Sequence, residues 1–268
     1  MPENPEVRII AQKLNEALDG KFLNNITFSK SSKHSNLPVE RLCLPIKLIR
    51  VESKGKLLIF VLNNNIYITS NLGYGCWVFE ETLISTVNFT FDDTKLYFKE
   101  PNVFGRIDFF FNEKDFQIKL NKIGIDILQS IQNHTVDNLK KVWVSSFKNK
   151  RLNKRQICKH LLDQKYFSGI GNYLKCDILY SCKINPQKLI KDLTEEEILK
   201  LFDSAITLIS ESYKLGGLTI NDYTDPFGNA GNYYPRIYGK KWDEYGNACR
   251  FDTFQDCRDT YWSPAIQG

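Results

Sequence analysis

The feature that most constrains the fold is a change in hydrophobic spacing near residues 121–126. Before it, short segments rich in Ile, Val, Phe and Tyr are separated by polar turns, and they cover residues 46–53, 57–62, 66–70, 94–99 and 107–111. After it, apolar residues recur at helical spacing near residues 126–133, 135–147, 154–163, 171–181 and 195–213. Short β-rich segments are typical of strands, and a 3.6-residue period is typical of helices. The sequence therefore predicts an antiparallel β domain followed by a helical domain.

Both ends of the chain add to this outline. Residues 5–18 have a helical pattern that stops at Gly20, so a helix is expected ahead of the first strands. Residues 216–268 are rich in Gly, Asn, Tyr and Asp, which is typical of loops with a small β-hairpin. Together the patterns predict an α+β protein.

Composition excludes several other classes. The 268-residue chain is 42% hydrophobic and 25% charged, as globular proteins are. Its longest apolar run, Leu57–Leu62, is far shorter than the roughly 20 residues of a membrane helix. The first residues lack the pattern of a signal peptide, so an intracellular location is expected. The seven cysteines include no C-x2-C pair, which argues against a disulfide framework and against a zinc site.

The net charge of +5 is modest, but its distribution is uneven. Nine Lys and Arg residues lie within residues 140–165 against one acid, Asp163. This basic stripe is typical of a phosphate-binding surface, although an ordinary solvated helix face has the same composition. Charge alone leaves both interpretations open.

The N-terminus offers a candidate nucleophile. The chain begins Met1-Pro2-Glu3, and removal of Met1 would leave Pro2 as a secondary amine. Such an amine can attack a sugar C1′ carbon and form an iminium, and an α-amino group titrates near ~8. Glu3 could move protons beside it. The alternative is that proline merely opens a helix.

A second motif lies in the helical half. Gly169-Ile170-Gly171 follows one predicted helix, and a new helix is expected to begin at or near Asn172. Glycines let a backbone approach a ligand closely, and helix N-termini favour phosphate. A plain turn between two helices would look the same.

These residues carry a resemblance to the Fpg/Nei family of DNA glycosylases, and within it to the endonuclease VIII-like proteins. The similar segments are residues 2–7, Lys56 within 55–58, residues 72–74, 161–186, 216–240 and 258–262. Residues 216–240 resemble the family's lesion loop and the entry to its C-terminal finger. The resemblance implies an antiparallel β-sandwich over residues 1–123, a helix–two-turn–helix DNA-binding domain over 124–225, and a finger hairpin over 226–268. Helices are expected to flank the sandwich.

The resemblance also implies an activity. It implies a monomeric glycosylase and abasic-site lyase of base excision repair, which excises oxidised bases, pyrimidines by preference, from single- or double-stranded DNA. Pro2 would attack C1′ and Glu3 would support opening of the sugar ring, with β- and δ-elimination following. No cofactor or metal would be required.

Further roles follow for individual residues. Lys56, Asn172 and Arg258 would hold the phosphates around the extruded nucleotide, and Lys56 and Arg258 would thereby belong to the catalytic set. Phe104 and Tyr74 would fill the space that the base vacates, unless they are simply buried aromatic residues. In a supporting role, the acids that would adjust the Pro2 ammonium pKa are Glu6 and Asp177.

Two departures from the family pattern alter these expectations. Ser263 and Ile266 stand where the family usually has zinc-binding cysteines, so the finger is expected to lack zinc. Asn102 stands where the family usually has a gap-filling arginine, which puts a strong preference for duplex DNA in doubt.

Two other functions compete with this one. The first is a helix–two-turn–helix protein that binds nucleic acid without cutting it, and the joint presence of Pro2, Glu3 and Lys56 argues against it. The second is a metal-dependent nuclease, which would need a cluster of carboxylates or histidines at ligand spacing. No such cluster is evident in the sequence.

Overall fold

The structure is a computed structural model that describes residues 1–30, 32–102, 104–219 and 223–268. The α-helices found there are α1 (Asn4–Leu18), α2 (Glu113–Leu120), α3 (Ile127–Gln132), α4 (Val136–Phe147), α5 (Ile157–Leu161), α6 (Asn172–Cys182), α7 (Glu195–Lys214) and α8 (Pro264–Gln267). The strands are β1 (Phe22–Phe28), β2 (Ile46–Lys54), β3 (Leu57–Leu62), β4 (Ile66–Asn71), β5 (Cys76–Val78), β6 (Ser85–Phe91), β7 (Thr94–Lys99), β8 (Arg106–Phe110), β9 (Ile125–Asp126), β10 (Phe167–Ser168), β11 (Arg250–Thr253) and β12 (Asp259–Trp262). The predicted α+β class is confirmed, with the antiparallel β part first and the helical part second.

The chain divides into two compact units. The N-terminal unit comprises Met1–Lys122 and Leu215–Asn232, and the C-terminal unit comprises Ile123–Lys214 and Tyr233–Gly268. The first crossing between units falls where the hydrophobic spacing changes. Residues 215–232 group with the N-terminal unit, whereas the sequence analysis divided them between the helical domain and the finger.

The N-terminal unit is built on eight antiparallel strands in the order β5-β7-β6-β1-β2-β3-β4-β8. Strand β1 pairs with β2 over a short register only, so the sheet changes direction there. Phe60 of β3 lies 5.4 Å from Trp77 of β5 and 5.6 Å from Phe89 of β6, between ring centroids. Strands β3 and β6 are three places apart in this order, and in a flat sheet such strands would be separated by roughly 14 Å. The two halves therefore pack face to face around a common apolar core, as a sandwich does.

Helix α1 lies against this core through its apolar face. Val7, Ile10 and Leu14 recur at helical spacing and are fully buried. The Asn15 side chain also accepts a hydrogen bond from the backbone nitrogen of Val51 in β2, at 2.7 Å. The sequence analysis expected helices to flank the sandwich but located only this one by its spacing, and α2 was not located because Phe116 is its only buried residue.

The C-terminal unit has a core of helices. Trp143 of α4 stacks on Phe167 at 4.3 Å and contacts Phe202 of α7 at 5.7 Å, between ring centroids. Helix α6 is buried along almost its whole length. Strands β11 and β12 form the predicted hairpin near the end of the chain. None of the helices within the described residues is long and apolar enough to cross a membrane.

Candidate functional site

The first turn of α1 is closed by two acidic residues. Glu3 is the N-cap, and its backbone nitrogen donates to Glu6 Oε2 at 2.8 Å, while the Glu3 side chain accepts from the backbone of Glu6. Both side chains are buried, and so is Pro2. This reciprocal capping box satisfies backbone donors that a helix start leaves open. It also holds the predicted nucleophile and its neighbouring acid in a defined backbone conformation.

Glu6 also binds a distant part of the same unit. Its Oε1 atom accepts a hydrogen bond from the backbone nitrogen of Leu218 at 3.1 Å. A Cβ atom at Gly217 would lie 2.8 Å from Tyr223 Cε1 and 3.1 Å from Glu6 Cγ, so only glycine fits there. The segment predicted to resemble a lesion loop is thus anchored beside the helix start. Residues 220–222 of that segment lie outside the described residues.

Lys56 lies in the two-residue turn between β2 and β3. Gly55 has a φ of 58°, and its carbonyl oxygen accepts a hydrogen bond from Asn4 Nδ2 at 3.3 Å. This bond attaches the turn to the start of α1. Lys56 is half-buried there. The structure thus brings the Lys56 backbone close to the Pro2–Glu6 segment, as the proposed site requires.

The two aromatic residues predicted to fill a vacated base site lie together. The rings of Tyr74 and Phe104 are 6.2 Å apart between centroids. Tyr74 is half-buried, whereas Phe104 is 67% exposed, so Phe104 is not a buried core residue. A Cβ atom at Gly73 would lie 2.8 Å from the carbonyl carbon of Phe104, and this close backbone approach requires glycine. Asn102 is exposed on the same loop.

The buried carboxylate of Glu100 binds the backbone of the loop that carries Asn102 and Phe104. Glu100 Oε1 accepts the backbone N–H of Gly105 at 2.7 Å, and Oε2 lies 3.1 Å from His34 Nε2. Lys33 Nζ lies 2.9 Å from Glu100 Oε1. Burial lowers the pKa of His34, although the Glu100 carboxylate acts in the opposite direction. The sequence analysis gave His34 no role because its partner is distant in sequence.

In the C-terminal unit, α6 begins at Asn172 as predicted. The helix N-cap is Gly171, so Asn172 is not the cap. Its side chain instead reaches the hairpin, where Nδ2 donates to the carbonyl oxygen of Asp259 at 3.0 Å. The structure therefore brings Asn172 together with the loop that carries Arg258.

Arg258 is exposed and is the last residue of the loop between β11 and β12. Gln255 and Gln156 hold one side of this loop through two reciprocal backbone-to-side-chain bonds, each of 3.0 Å. The other anchor is Lys175, which is buried and paired with Asp256 at 2.5 Å. Sequence analysis missed Lys175, although a single lysine inside the buried apolar run of α6 is an unusual feature.

Asp177 is a buried acid of α6 with several hydrogen-bond donors around it. Its carboxylate accepts hydrogen bonds from Tyr233 Oη and from the backbone nitrogens of residues 236, 237 and 238, at 2.8–3.3 Å. All these donors belong to the C-terminal unit. Burial raises the pKa of Asp177, and the hydrogen bonds oppose that shift. The observed contacts assign Asp177 to the anchoring of residues 233–238.

The finger contains a polar cluster around Ser263, one of the two positions where the family usually has zinc-binding cysteines. Ser263 is fully buried, and its hydroxyl donates to Asp243 Oδ2 at 2.8 Å. Asp243 also accepts from the backbone and side chain of Asn247. Ser263 N donates to Gln267 Oε1 at 2.9 Å. Across the described ranges, no group of three or more His, Cys, Asp or Glu residues could hold a metal ion.

Two family models match this chain over most of its length. The formamidopyrimidine-DNA glycosylase N-terminal domain matches residues 1–107, and the formamidopyrimidine-DNA glycosylase H2TH domain matches residues 135–224. The formamidopyrimidine-DNA glycosylase of Mycoplasma genitalium is 28% identical over 254 residues, which cover 90% of this chain and 86% of that protein. That of Thermus thermophilus is 26% identical over 248 residues, covering 90% and 88%.

Solved structures show the same fold. The crystal structure of the MutM (Fpg) protein from Thermus thermophilus has a TM-score of 0.86 at 23% identity, covering 100% of this chain and 99% of that one. A complex between Lactococcus lactis Fpg and DNA containing an abasic site has a TM-score of 0.81 at 22% identity, covering 99% of both chains.

Proposed function

Because this chain belongs to the formamidopyrimidine-DNA glycosylase family, it is a DNA glycosylase of base excision repair, and we propose that Pro2 is its nucleophile. The proposed substrate is DNA that contains an oxidised base or an abasic site. The observation that carries the proposal is the arrangement of Pro2, Glu3 and Glu6 at the buried start of α1. It presents the chain end next to an acid whose position is set by backbone hydrogen bonds.

The proposed chemistry proceeds in steps that balance. The Pro2 nitrogen attacks C1′ of the damaged nucleotide, and the bond from C1′ to the base breaks, so that the base leaves with the bonding electrons and gains a proton. Glu3 supports opening of the sugar ring through proton transfer. An iminium then joins Pro2 to C1′.

The iminium explains how the strand would be cut. It acidifies the C2′ proton, and loss of that proton expels the 3′ phosphate by β-elimination. A second loss of a proton expels the 5′ phosphate by δ-elimination, and water releases the sugar fragment from Pro2. These steps need only groups of this chain and water.

We assign the remaining residues to holding the DNA. A base must leave the helical stack before its sugar can be reached, at a cost of a few kcal/mol. The exposed Phe104 ring, supported by Tyr74, would fill the vacated space, with Asn102 beside it. Lys56, Asn172 and Arg258 would hold the phosphates, because small errors in the position of C1′ are costly.

We further propose an endonuclease VIII-like preference for oxidised pyrimidines, action on single- as well as double-stranded DNA, a monomeric enzyme and a finger without zinc. Asn102 supports the proposal about strand preference, because an asparagine fills less space than the family's arginine. The hydrogen bonds that Asp243 accepts from Ser263 and Asn247 support the proposal that the finger has no zinc.

Borohydride trapping tests this function. Borohydride reduces an iminium to a stable amine, so the enzyme should become cross-linked to an oligonucleotide with an abasic site or an oxidised pyrimidine. Mass spectrometry of the cross-linked peptide should place the bond on Pro2 with Met1 absent. A variant with one residue added before Pro2 serves as the control and should not cross-link.

Three results would contradict the proposal. A cross-link on a lysine such as Lys56 would show that another amine is the nucleophile. Active protein that retains Met1 would exclude Pro2. Binding without any cross-link or cleavage would favour the alternative of a protein that only binds nucleic acid.

A further inference from the structure

Lys175 is a fully buried lysine whose ammonium group has three acceptors. Its Nζ atom lies 2.8 Å from Asn172 Oδ1, 2.5 Å from Asp256 Oδ2 and 2.7 Å from Thr260 Oγ1. The Lys175 side chain is 0% exposed, and that of Asp256 is 1% exposed. An ammonium group has three N–H donors and accepts nothing. Each donor therefore has an acceptor, and all the acceptors lie at the junction of α6 with the hairpin loop.

The hydrogen bond from Lys175 Nζ to Asn172 fixes the orientation of the Asn172 side-chain amide. Because the ammonium only donates, the Asn172 atom beside it must be the carbonyl oxygen. The amide nitrogen then lies on the other side, where it donates one of its two N–H bonds to the Asp259 carbonyl oxygen at 3.0 Å. Within the described residues, the second N–H has no acceptor in the protein, so it is available to a bound phosphate.

The other two contacts of the Lys175 ammonium lie on both sides of Arg258 in the sequence. Asp256 precedes Arg258 by two residues and Thr260 follows it by two, and both bind the same ammonium. Asp256 Oδ1 also accepts from the backbone nitrogen of Arg258 at 3.4 Å. The Arg258 side chain is exposed, while the residues two positions before and two positions after it both bind the buried Lys175 ammonium.

We propose that Lys175 is a positioning residue that presents the Asn172 amide and the Arg258 side chain together to one DNA phosphate. This inference rests on the proposed function, in which Asn172 and Arg258 bind phosphate. An ion pair that served only stability would need Asp256 alone. The added contacts with Asn172 and Thr260 connect the pair to both proposed phosphate ligands.

The test replaces the ion pair without leaving a buried charge. Lys175→Met combined with Asp256→Asn keeps similar side-chain volumes, and the asparagine can still accept from Arg258. We expect a folded protein whose single-turnover cleavage of abasic-site DNA at saturating enzyme is at least about tenfold slower. Its affinity for undamaged DNA should change by less than about twofold, because positioning a reacting sugar affects rate more than general binding.

A matched control is the pair of Lys188 and Glu197 in the same unit. Their charged atoms lie 2.6 Å apart, and in the described part of the chain none of their hydrogen bonds goes to Asn172 or to the hairpin loop. Lys188→Met combined with Glu197→Gln should keep the unsubstituted single-turnover rate. An equal rate in the Lys175 double variant would overturn the inference. If the unsubstituted enzyme failed to cross-link or cleave, the proposed function itself would have failed.

A second measurement uses the unsubstituted protein and covers the case in which the double variant does not fold. A buried ammonium with three acceptors exchanges its protons slowly, so the Lys175 Nζ signal should be visible by NMR at neutral pH. Coupling across the hydrogen bond from this Nζ to the Asn172 Cγ carbon should identify it. A signal that lacks this coupling, or no slowly exchanging ammonium at all, would also overturn the inference.

Discussion

The carboxylate of Glu6 accepts a hydrogen bond from the backbone nitrogen of Leu218 at 3.1 Å, although the two residues are 212 positions apart. Its other oxygen binds the backbone nitrogen of Glu3 at 2.8 Å. One buried side chain therefore sets both the start of α1 and the position of the segment that includes Gly217. The proposed nucleophile and the proposed lesion loop depend on the same carboxylate.

Glu6→Ala is expected to lower the free energy of unfolding by about 1–3 kcal/mol, because it leaves two buried N–H groups without their acceptor. Glu6→Gln keeps one acceptor oxygen and should lose roughly half as much. Urea unfolding measures both. Glu195→Ala, in the exposed first turn of α7, is the control and should change stability little. A Glu6→Ala protein as stable as the original would show that these bonds contribute nothing.

Phe104→Ala should slow excision from duplex DNA by about tenfold, which corresponds to about 1.4 kcal/mol at the transition state. The physical reason is that the vacated base site loses the ring that fills it. Melting temperature should hardly change, since Phe104 is 67% exposed. Single-stranded DNA has no opposite strand to stabilise, so its excision should slow less. Equal loss on both substrates would assign Phe104 to contact with the damaged base.

Arg258→Ala should reduce turnover on a lesion by about 100-fold, because it misplaces the reacting sugar. Binding to undamaged DNA should weaken little. Charge reversal at Lys150 and Arg151, which lie on the basic stripe, should weaken binding to all sequences and make the salt dependence shallower, by roughly 0.9 per lost phosphate contact. Single-turnover rates and salt titrations separate these effects. Intact single-turnover chemistry in Arg258→Ala would show that the hairpin is only an anchor.

The finger is expected to keep its structure and activity after treatment with a chelator. Ser263 and Asp243 are joined by a 2.8 Å hydrogen bond at one of the positions where the family usually has a zinc ligand. Ser263→Ala should therefore impair cleavage, whereas chelation should not. Elemental analysis of active protein measures the zinc content directly. One zinc per chain, with activity lost on chelation, would contradict this expectation.

His160 should make the free energy of unfolding decrease as the pH falls below 6.5. Burial, together with the nearby Arg155 guanidinium, lowers its pKa to about 4, while Asp163 acts in the opposite direction. As pH falls below 6.5, the unfolded chain binds a proton before the native state does. The native state should lose about 3 kcal/mol between pH 6.5 and about 4.

Unfolding measured across this pH range checks the effect. His160→Gln should show a smaller decrease than the unsubstituted protein. His134→Asn alters an exposed side chain and should follow the unsubstituted profile. Identical profiles for His160→Gln and the unsubstituted protein would contradict a neutral buried histidine.

The sequence predicted the fold where local spacing carries the information. Strands β2, β3, β4, β7 and β8 were recognised because short segments rich in Ile, Val, Phe and Tyr are typical of strands, and the long helices were recognised by their 3.6-residue apolar spacing. Helix α2 was missed because Phe116 is its only fully buried residue, so its sequence shows little amphipathic pattern. The grouping of residues 215–232 with the N-terminal unit was also missed, because it depends on contacts such as that of Glu6 with Leu218.

The site was predictable only through motifs. Pro2, Lys56, Asn172 and Arg258 stand in short segments whose order is informative. Lys175 stands in no motif, and its acceptors at 256 and 260 lie more than 80 positions away. The assignment of Asp177 to the Pro2 ammonium could not be judged from sequence, since its partners are mainly backbone N–H groups of residues 236–238.

The route of the chain between the two units has a consequence for synthesis on the ribosome. Tyr223 belongs to the N-terminal apolar core, and Cys76 and Phe79 bind the backbone of Thr224 and Pro226. These partners are translated roughly a hundred residues after Lys122. At about 5–20 residues per second, the nascent β-sandwich waits about 5–20 s for its last core residue. During that interval it exposes apolar surface that a chaperone would recognise.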